Sequence, residues 1–294
     1  MSYYLGEAAI SAVRLRECAA ICREHEDHHG YAYALVYLSS LVYRQGDIDA
    51  GGAMSKESEE IVRSLGEPWG LGMALWTEGY ITLMGTSRPT VESAAAACPL
   101  LEESAGLLHR SGDRWAASAP LIYHAWARCE LGDYRTSRAL AHQAIESARA
   151  VGDRLRVGMF SYFLGGWATK QGDFATASAV LRESLQLRYD INDESGAAGC
   201  FEKLAALEVA QSRAGSSQPA LNMSRGARLL GAAEAVRTAS RSSPSPTEQE
   251  DIDDTLAAIK QVLGKEALMA AQADGGAMTV KHAVAYGLEE RDVI

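Results

Sequence analysis

Long apolar runs are missing from this chain, and that absence removes one function class at the outset. No stretch approaches the about 18 consecutive apolar residues that a membrane-crossing helix needs. The amino terminus, Met1-Ser2-Tyr3-Tyr4, lacks the charged start and apolar stretch of a secretion signal, so a cytoplasmic location is expected, with no membrane partner. Cysteine is scarce. Five residues at irregular positions form no disulfide framework, and Cys98, Cys129 and Cys200 fall within apolar helical patterns, where a thiol behaves as a small hydrophobe. They are expected to be reduced and mostly buried. Excess positive charge is missing too. A formal net charge of −10 argues against direct nucleic-acid binding, which needs a basic patch or stripe. Arg14, Arg16 and Arg23 are followed by Glu24, Glu26 and Asp27, and read as a solvated helix face.

Catalytic signatures are equally sparse. There is no Ser-His-Asp order, no paired set of metal ligands and no glycine-rich cofactor loop, so no cofactor or metal is expected. His124, in Leu121-Ile122-Tyr123-His124-Ala125-Trp126, has an apolar helical setting without a neighbouring nucleophile, which suits a hydrogen-bonded packing residue. Glu202 could point into a groove with a raised pKa if buried, although Lys203 and solvent are the simpler setting. Cys18, Cys22, His25 and His29 are spaced to share one side of a helix, but one straight helix cannot surround a zinc ion. Acid–base chemistry in a groove stays open, because such a site need not leave a motif.

What the chain has in abundance is a repeated turn. Gly-Asp closes one helical pattern and opens the next at Gly46-Asp47, Gly132-Asp133 and Gly172-Asp173, and Gly132 and Gly172 are 40 residues apart. Gly46 and Gly85 are 39 apart. A second ladder interleaves with the first: Gly66-Glu67, Gly112-Asp113, Gly152-Asp153 and Asn192-Asp193, at steps of 46, 40 and 40 residues. Two ladders with one step mean two helices per repeat. Each ends on a residue that tolerates the left-handed conformation, with an acidic residue placed to cap the next helix. The fold predicted is all-α: a right-handed superhelical solenoid of tetratricopeptide-like helical pairs with a C-terminal helical cap. With 47% hydrophobic and 22% charged residues, it has apolar surface enough for a continuous core.

The periodicity predicts helices over 31–44 and 48–65, 69–84 and 91–109, 114–131 and 134–151, 154–171 and 174–189, and 194–213. The connection Gly85-Thr86-Ser87-Arg88-Pro89-Thr90 accounts for the 46-residue step. The fifth pair reads as interrupted by Ala214-Gly215-Ser216-Ser217-Gln218-Pro219, with helix resuming at Ser224. The domain reading is repeats over 1–239, a polar Pro-containing linker over 240–247 and capping helices over 248–294, the first capped by Thr247 and ended by Gly264. Two short helices follow, over 266–273 and 279–288.

The fourth unit resembles the tetratricopeptide pattern through Leu164-Gly165, Gln171-Gly172-Asp173-Phe174, Ala177, Leu181 and Ser184-Leu185. Long units of this kind resemble the helical arms of signal-transduction ATPases and large LuxR-type regulators, including the maltose-regulon activator class. The stretch from Arg228 to Arg237, then Leu263-Gly264-Lys265-Glu266-Ala267 and Ala277 to Tyr286, is similar to the end of such arms in actinobacterial predicted ATPases and LuxR-type regulators. The resemblance spans about residues 24 to 288. It implies sensing or docking. ATP hydrolysis does not carry over, since no Gly-x-x-x-x-Gly-Lys-[Ser/Thr] loop occurs. The chain also reaches Ile294 without room for a helix-turn-helix, so a stand-alone or excised arm is expected.

In tetratricopeptide arrays the first helix of each pair lines the concave face. Projecting the inward positions gives Tyr33, Val36, Tyr43 and Arg44 in the first pair, and Leu75 and Thr82 with Trp76 and Tyr80 nearby in the second. The third gives Ala119, Ile122, Trp126 and Cys129; the fourth gives Met159, Tyr162, Thr169 and Lys170. Any one of these residues can equally pack between helices. As a set, Tyr33, Arg44, Trp76, Tyr80, Trp126, Met159, Tyr162 and Lys170 predict a groove for a protein segment or a small-molecule effector. An enclosed aromatic groove would instead suit a small apolar metabolite, bound or transformed. A third reading is self-assembly, a homodimer through the first repeat around Tyr3, Tyr4, Leu5 and Ile10.

Overall fold

Left-handed glycines and capping aspartates divide the chain into helical pairs. The computed structural model describes residues 2–85 and 88–289, with side chains from residue 9 onward. Thr86 and Ser87 of the long connection, the side chains of Tyr3, Tyr4 and Leu5, and the last residues of the expected cap therefore lie outside the described residues. Gly46, Gly112, Gly132, Gly152 and Gly172 all have φ between 75° and 98°, and Asn192 takes the same role at 58°. A β-carbon is strained in this conformation, which is why Gly or Asn recurs there. Asp27, Asp47, Asp113, Asp133, Asp153, Asp173 and Asp193 each cap the following helix by accepting a hydrogen bond from the third backbone N–H inside it.

The chain forms two compact units, Met1–Val151 and Gly152–Ile294. In the first, α1 (Ser2–Glu24) packs on α2 (His28–Arg44). The pairs are α2 with α3 (Ile48–Leu65), α4 (Pro68–Met84) with α5 (Val91–Arg110), and α6 (Arg114–Glu130) with α7 (Tyr134–Ala150). The first helices of successive pairs also touch, α2 with α4 and α4 with α6, so they form an inner layer. In the second unit, α8 (Arg154–Lys170) pairs with α9 (Phe174–Asp190) and α10 (Glu194–Arg213) with α11 (Pro219–Ser240). There α8 touches α10. The all-α fold of consecutive helical pairs is as the turn spacing predicts.

Small residues set how closely each pair closes. Ser58 donates to the Ala32 carbonyl at 3.0 Å, Ser104 to Gly72 at 2.6 Å and Ser184 to Gly158 at 2.6 Å. In each case a buried hydroxyl on the second helix satisfies itself on the backbone of the first, which no larger side chain would permit at that separation.

Several boundaries differ from the sequence expectation, each for a local reason. Pro219 starts α11 from its first position, where a missing N–H costs nothing, so the fifth pair is complete rather than resuming at Ser224. Ser245, not Thr247, caps α12 (Pro246–Leu263), because Ser245 and Glu248 form a reciprocal capping box around Pro246. The expected linker is shorter than 240–247: Ser240 ends α11 and Pro246 opens α12. Gly264 ends α12 with φ 79°, as expected, and is followed by α13 (Lys265–Gly276) and α14 (Val280–Leu288). These three helices fold back onto the pairs. α12 packs on α10 and α11, α13 crosses α11, and α14 reaches α9 and α11. The α11–α13 crossing is glycine-dependent: a β-carbon on Gly231 would stand 2.1 Å from the Gln272 carbonyl oxygen.

Asp47→Ala removes the bond from the Ala50 N–H, 3.1 Å long. The expected loss is about 1 kcal/mol in denaturant unfolding, with Asp47→Asn close to neutral.

Candidate functional site

In the first unit, the inner layer is aromatic. Tyr33 stacks between His29 and Trp69, with ring centroids at 4.6 and 5.6 Å, and donates to Glu67 at 3.2 Å. Burial, with the Glu67 charge beside it, pushes the Tyr33 phenol up to about 12. Glu67 also meets His29 at 2.8 Å, which explains why this residue, alone among the acidic turn residues above, makes no side-chain cap for its own helix. Tyr43, Tyr80 and Tyr123 form an edge-to-face chain across α2, α4 and α6, with centroids 5.4 and 4.9 Å apart.

The predicted residues of this unit divide by role. Tyr33 and Tyr80 belong to these ring networks, while Arg44 is exposed at the end of α2. Trp76 is half-buried between two hydrophobic clusters and Trp126 donates to Glu130 at 3.1 Å on its own helix. Tyr123 was not among the inward positions; it lies one residue beyond Ile122.

His124 is a packing residue, as its sequence setting suggests. It is 4% exposed and its Nε2 accepts from Arg128 Nε at 3.0 Å. Burial, reinforced by the Arg128 charge, lowers its pKa to about 4. The neutral ring is thus favoured by folding, and stability falls as pH drops from about 6.5 toward 4, by up to about 3 kcal/mol. His124→Gln is expected to lose less stability than the parent chain between pH 7 and pH 4.5 in paired denaturant titrations.

The Cys18, Cys22, His25, His29 set does not share a helix. α1 ends at Glu24, Glu26 turns left-handed at φ 54°, and Asp27 caps α2, so the two cysteines and His29 belong to different elements. Cys18 is exposed, Cys22 and Cys129 half-buried, and Cys98 and Cys200 buried. No group of three or more His, Cys, Asp or Glu suited to a metal occurs among the described residues. No helix among them is long and apolar enough to cross a membrane.

The second unit contains a defined cleft of about 210 Å³ bounded by α8, α10 and α12. Tyr162, Gly166, Thr169 and Lys170 form one stripe of α8, and Glu202, Lys203, Ala206, Val209, Ala210 and Arg213 line it from α10. Glu248, Asp251, Ile252, Asp254 and Thr255 close it from α12. Of the inward positions of the fourth pair, Tyr162, Thr169 and Lys170 line this cleft; Met159 is half-buried and does not. The α10 wall was missed apart from Glu202. The signal was available, since the same 40-residue step carries Tyr162 to Glu202, Gly166 to Ala206 and Lys170 to Ala210.

Tyr162 anchors the floor. Its hydroxyl donates to Glu248 at 3.3 Å, and Arg188 and Lys203 stand over the ring at 5.6 and 5.7 Å. Burial, followed by the nearby Glu248 charge, raises its pKa well above the usual value. Lys203 pairs with Asp251 at 2.8 Å.

Glu202 corrects the simpler expectation: it is buried, and its partner is Arg237 of α11, not Lys203. The guanidinium holds both carboxylate oxygens, at 2.6 and 2.8 Å. Burial still pushes the Glu202 carboxyl up, against the pull of Arg237. Arg237→Met leaves that carboxylate unpaired and is expected to destabilise the chain by about 3 kcal/mol. Adding Glu202→Leu should recover most of the loss, as read by denaturant unfolding.

No family model and no curated protein matches the chain. Among solved structures the chain is similar to a crystal structure of BtubC (BKLC) from P. vanneervenii. The identity is 16% and the TM-score 0.60, over 82% of this chain and 93% of that one. At this identity the likeness shows the helical fold alone.

Proposed function

We propose that this chain is a protein-docking module that binds a segment of a partner protein along the inner face formed by α8 and α10. The observation that carries this reading is the cleft itself. Its rim is polar, with Lys170, Lys203 and Arg213 on one side and Glu248, Asp251 and Asp254 on the other. Its volume of about 210 Å³ is below the roughly 300–1,000 Å³ of pockets that enclose drug-sized molecules. A side chain or two of a docked segment fit such a space, and the flanking helix surface supplies the remaining contact.

The enclosed-metabolite reading is weaker on the same grounds. The cleft has one aromatic residue, Tyr162, and its buried carboxylate, Glu202, is committed to Arg237. The setting we propose is bacterial regulation, on the strength of the sequence resemblance to LuxR-type and signal-transduction ATPase arms.

Selection of random peptides against the full chain tests the docking reading. Peptides enriched on it should lose at least tenfold in affinity on the exposed double variant Lys170→Glu/Arg213→Glu, because the mutated cations rim the cleft. Enriched peptides that bind the variant equally well, or the absence of any enrichment, would remove the assignment.

A further inference from the structure

The second unit fills part of its own inner face. Helix α12 lies on α10 and α11 through Ile252, Thr255, Leu256 and Ile259, one helical stripe. Only Thr255, Ala258 and Ile259 of its 18 residues are buried. A second cleft, of about 310 Å³, lies on its other side, between it and α11, and both clefts are lined by Glu202 and Ile252. The helix therefore stands in a trough that it does not fill.

Apart from Glu202 of α10, whose carboxylate Arg237 holds, charge is divided across that contact by element. Every cation lining the α8–α10 side of the first cleft comes from those two helices: Lys170, Lys203 and Arg213. The carboxylates opposite them, Glu248, Asp251 and Asp254, all come from α12. The polar links that hold the helix there include Lys203 to Asp251 at 2.8 Å and Tyr162 to Glu248 at 3.3 Å. A left-handed residue precedes and follows α12: Arg241, the cap of α11, has φ 53° and Gly264 has φ 79°.

We infer that α12 is an intramolecular occupant of the docking groove, and that the external partner is an acidic amphipathic helix of another protein which replaces it. The inference rests on the docking reading above and names the partner class for that same face. A competing helix needs a carboxylate to meet Lys203, an acceptor one turn earlier for Tyr162, and apolar residues where Ile252, Leu256 and Ile259 now lie. The attachment of α12 sets the threshold, since a partner must out-compete a tethered ligand present at high effective concentration.

The test uses a fluorescent peptide of residues 245–264, added to the full chain and to its Glu248→Gln/Asp251→Asn variant. Glutamine at 248 keeps the capping box, so the helix itself is retained. The variant should bind the peptide at least tenfold more tightly than the parent chain, with unchanged helicity, and adding Lys203→Glu should abolish the gain. Equal affinities, or binding indifferent to Lys203→Glu, would overturn the inference. Should the double variant lose helicity, Asp251→Asn alone repeats the comparison with a smaller gain, and equal affinities again overturn it. If neither chain binds this peptide while selected peptides bind at the cation rim, self-occupancy fails and the docking reading stands. If no peptide of any kind binds, both fall. Dimerisation of the variant without peptide binding would assign the groove to a second copy and overturn the separate partner.

Discussion

The structure depends on one constraint: each helix must stop, reverse and restart within about three residues, forty residues apart from its counterpart in the next pair. A left-handed Gly or Asn satisfies the stop and an Asp side chain satisfies the restart, so the reversal is written in adjacent residues such as Gly132-Asp133 and Gly172-Asp173. Everything else follows from the regularity this imposes. Pairs of similar length bring the first helices of neighbouring pairs into contact, α2 to α4 and α8 to α10, and a continuous inner layer results in each unit.

That local chemistry explains what was legible in the sequence. Turn and cap residues act on their immediate neighbours, so the positions of the pairs through α9 follow from composition and spacing alone. Departures arise where two readings compete within a few residues. Thr247 and Ser245 are both capping residues, and the reciprocal bond with Glu248 decides for Ser245. Pro219 reads as a turn residue or as a helix start, and the complete α11 shows that it is the second.

The lining of the candidate cleft was legible in part. Tyr162 and Lys170 follow from projecting inward positions onto the fourth pair, because the repeat fixes which face of α8 is turned inward. The partner of Glu202 was not legible. Arg237 is 35 residues away, on the far helix of the pair, and no local pattern links two residues whose contact is made by tertiary packing. The same limit hides α12, whose acidic sequence reads as an outward cap but whose Asp251 and Glu248 turn toward Lys203 and Tyr162. The serine-to-carbonyl bonds that close the helical pairs are likewise invisible until the helices are side by side.

On the docking proposal, a repeat array with its own acidic helix beside the groove is a module whose affinity would be set by competition. The measurement that tests this most directly is hydrogen exchange of the unaltered full chain, with and without a saturating acidic helical peptide. The account predicts that amides of α12, residues 246–263, lose protection when the peptide is added, while α8 and α10 keep theirs. Binding of the peptide with α12 protection unchanged would contradict it.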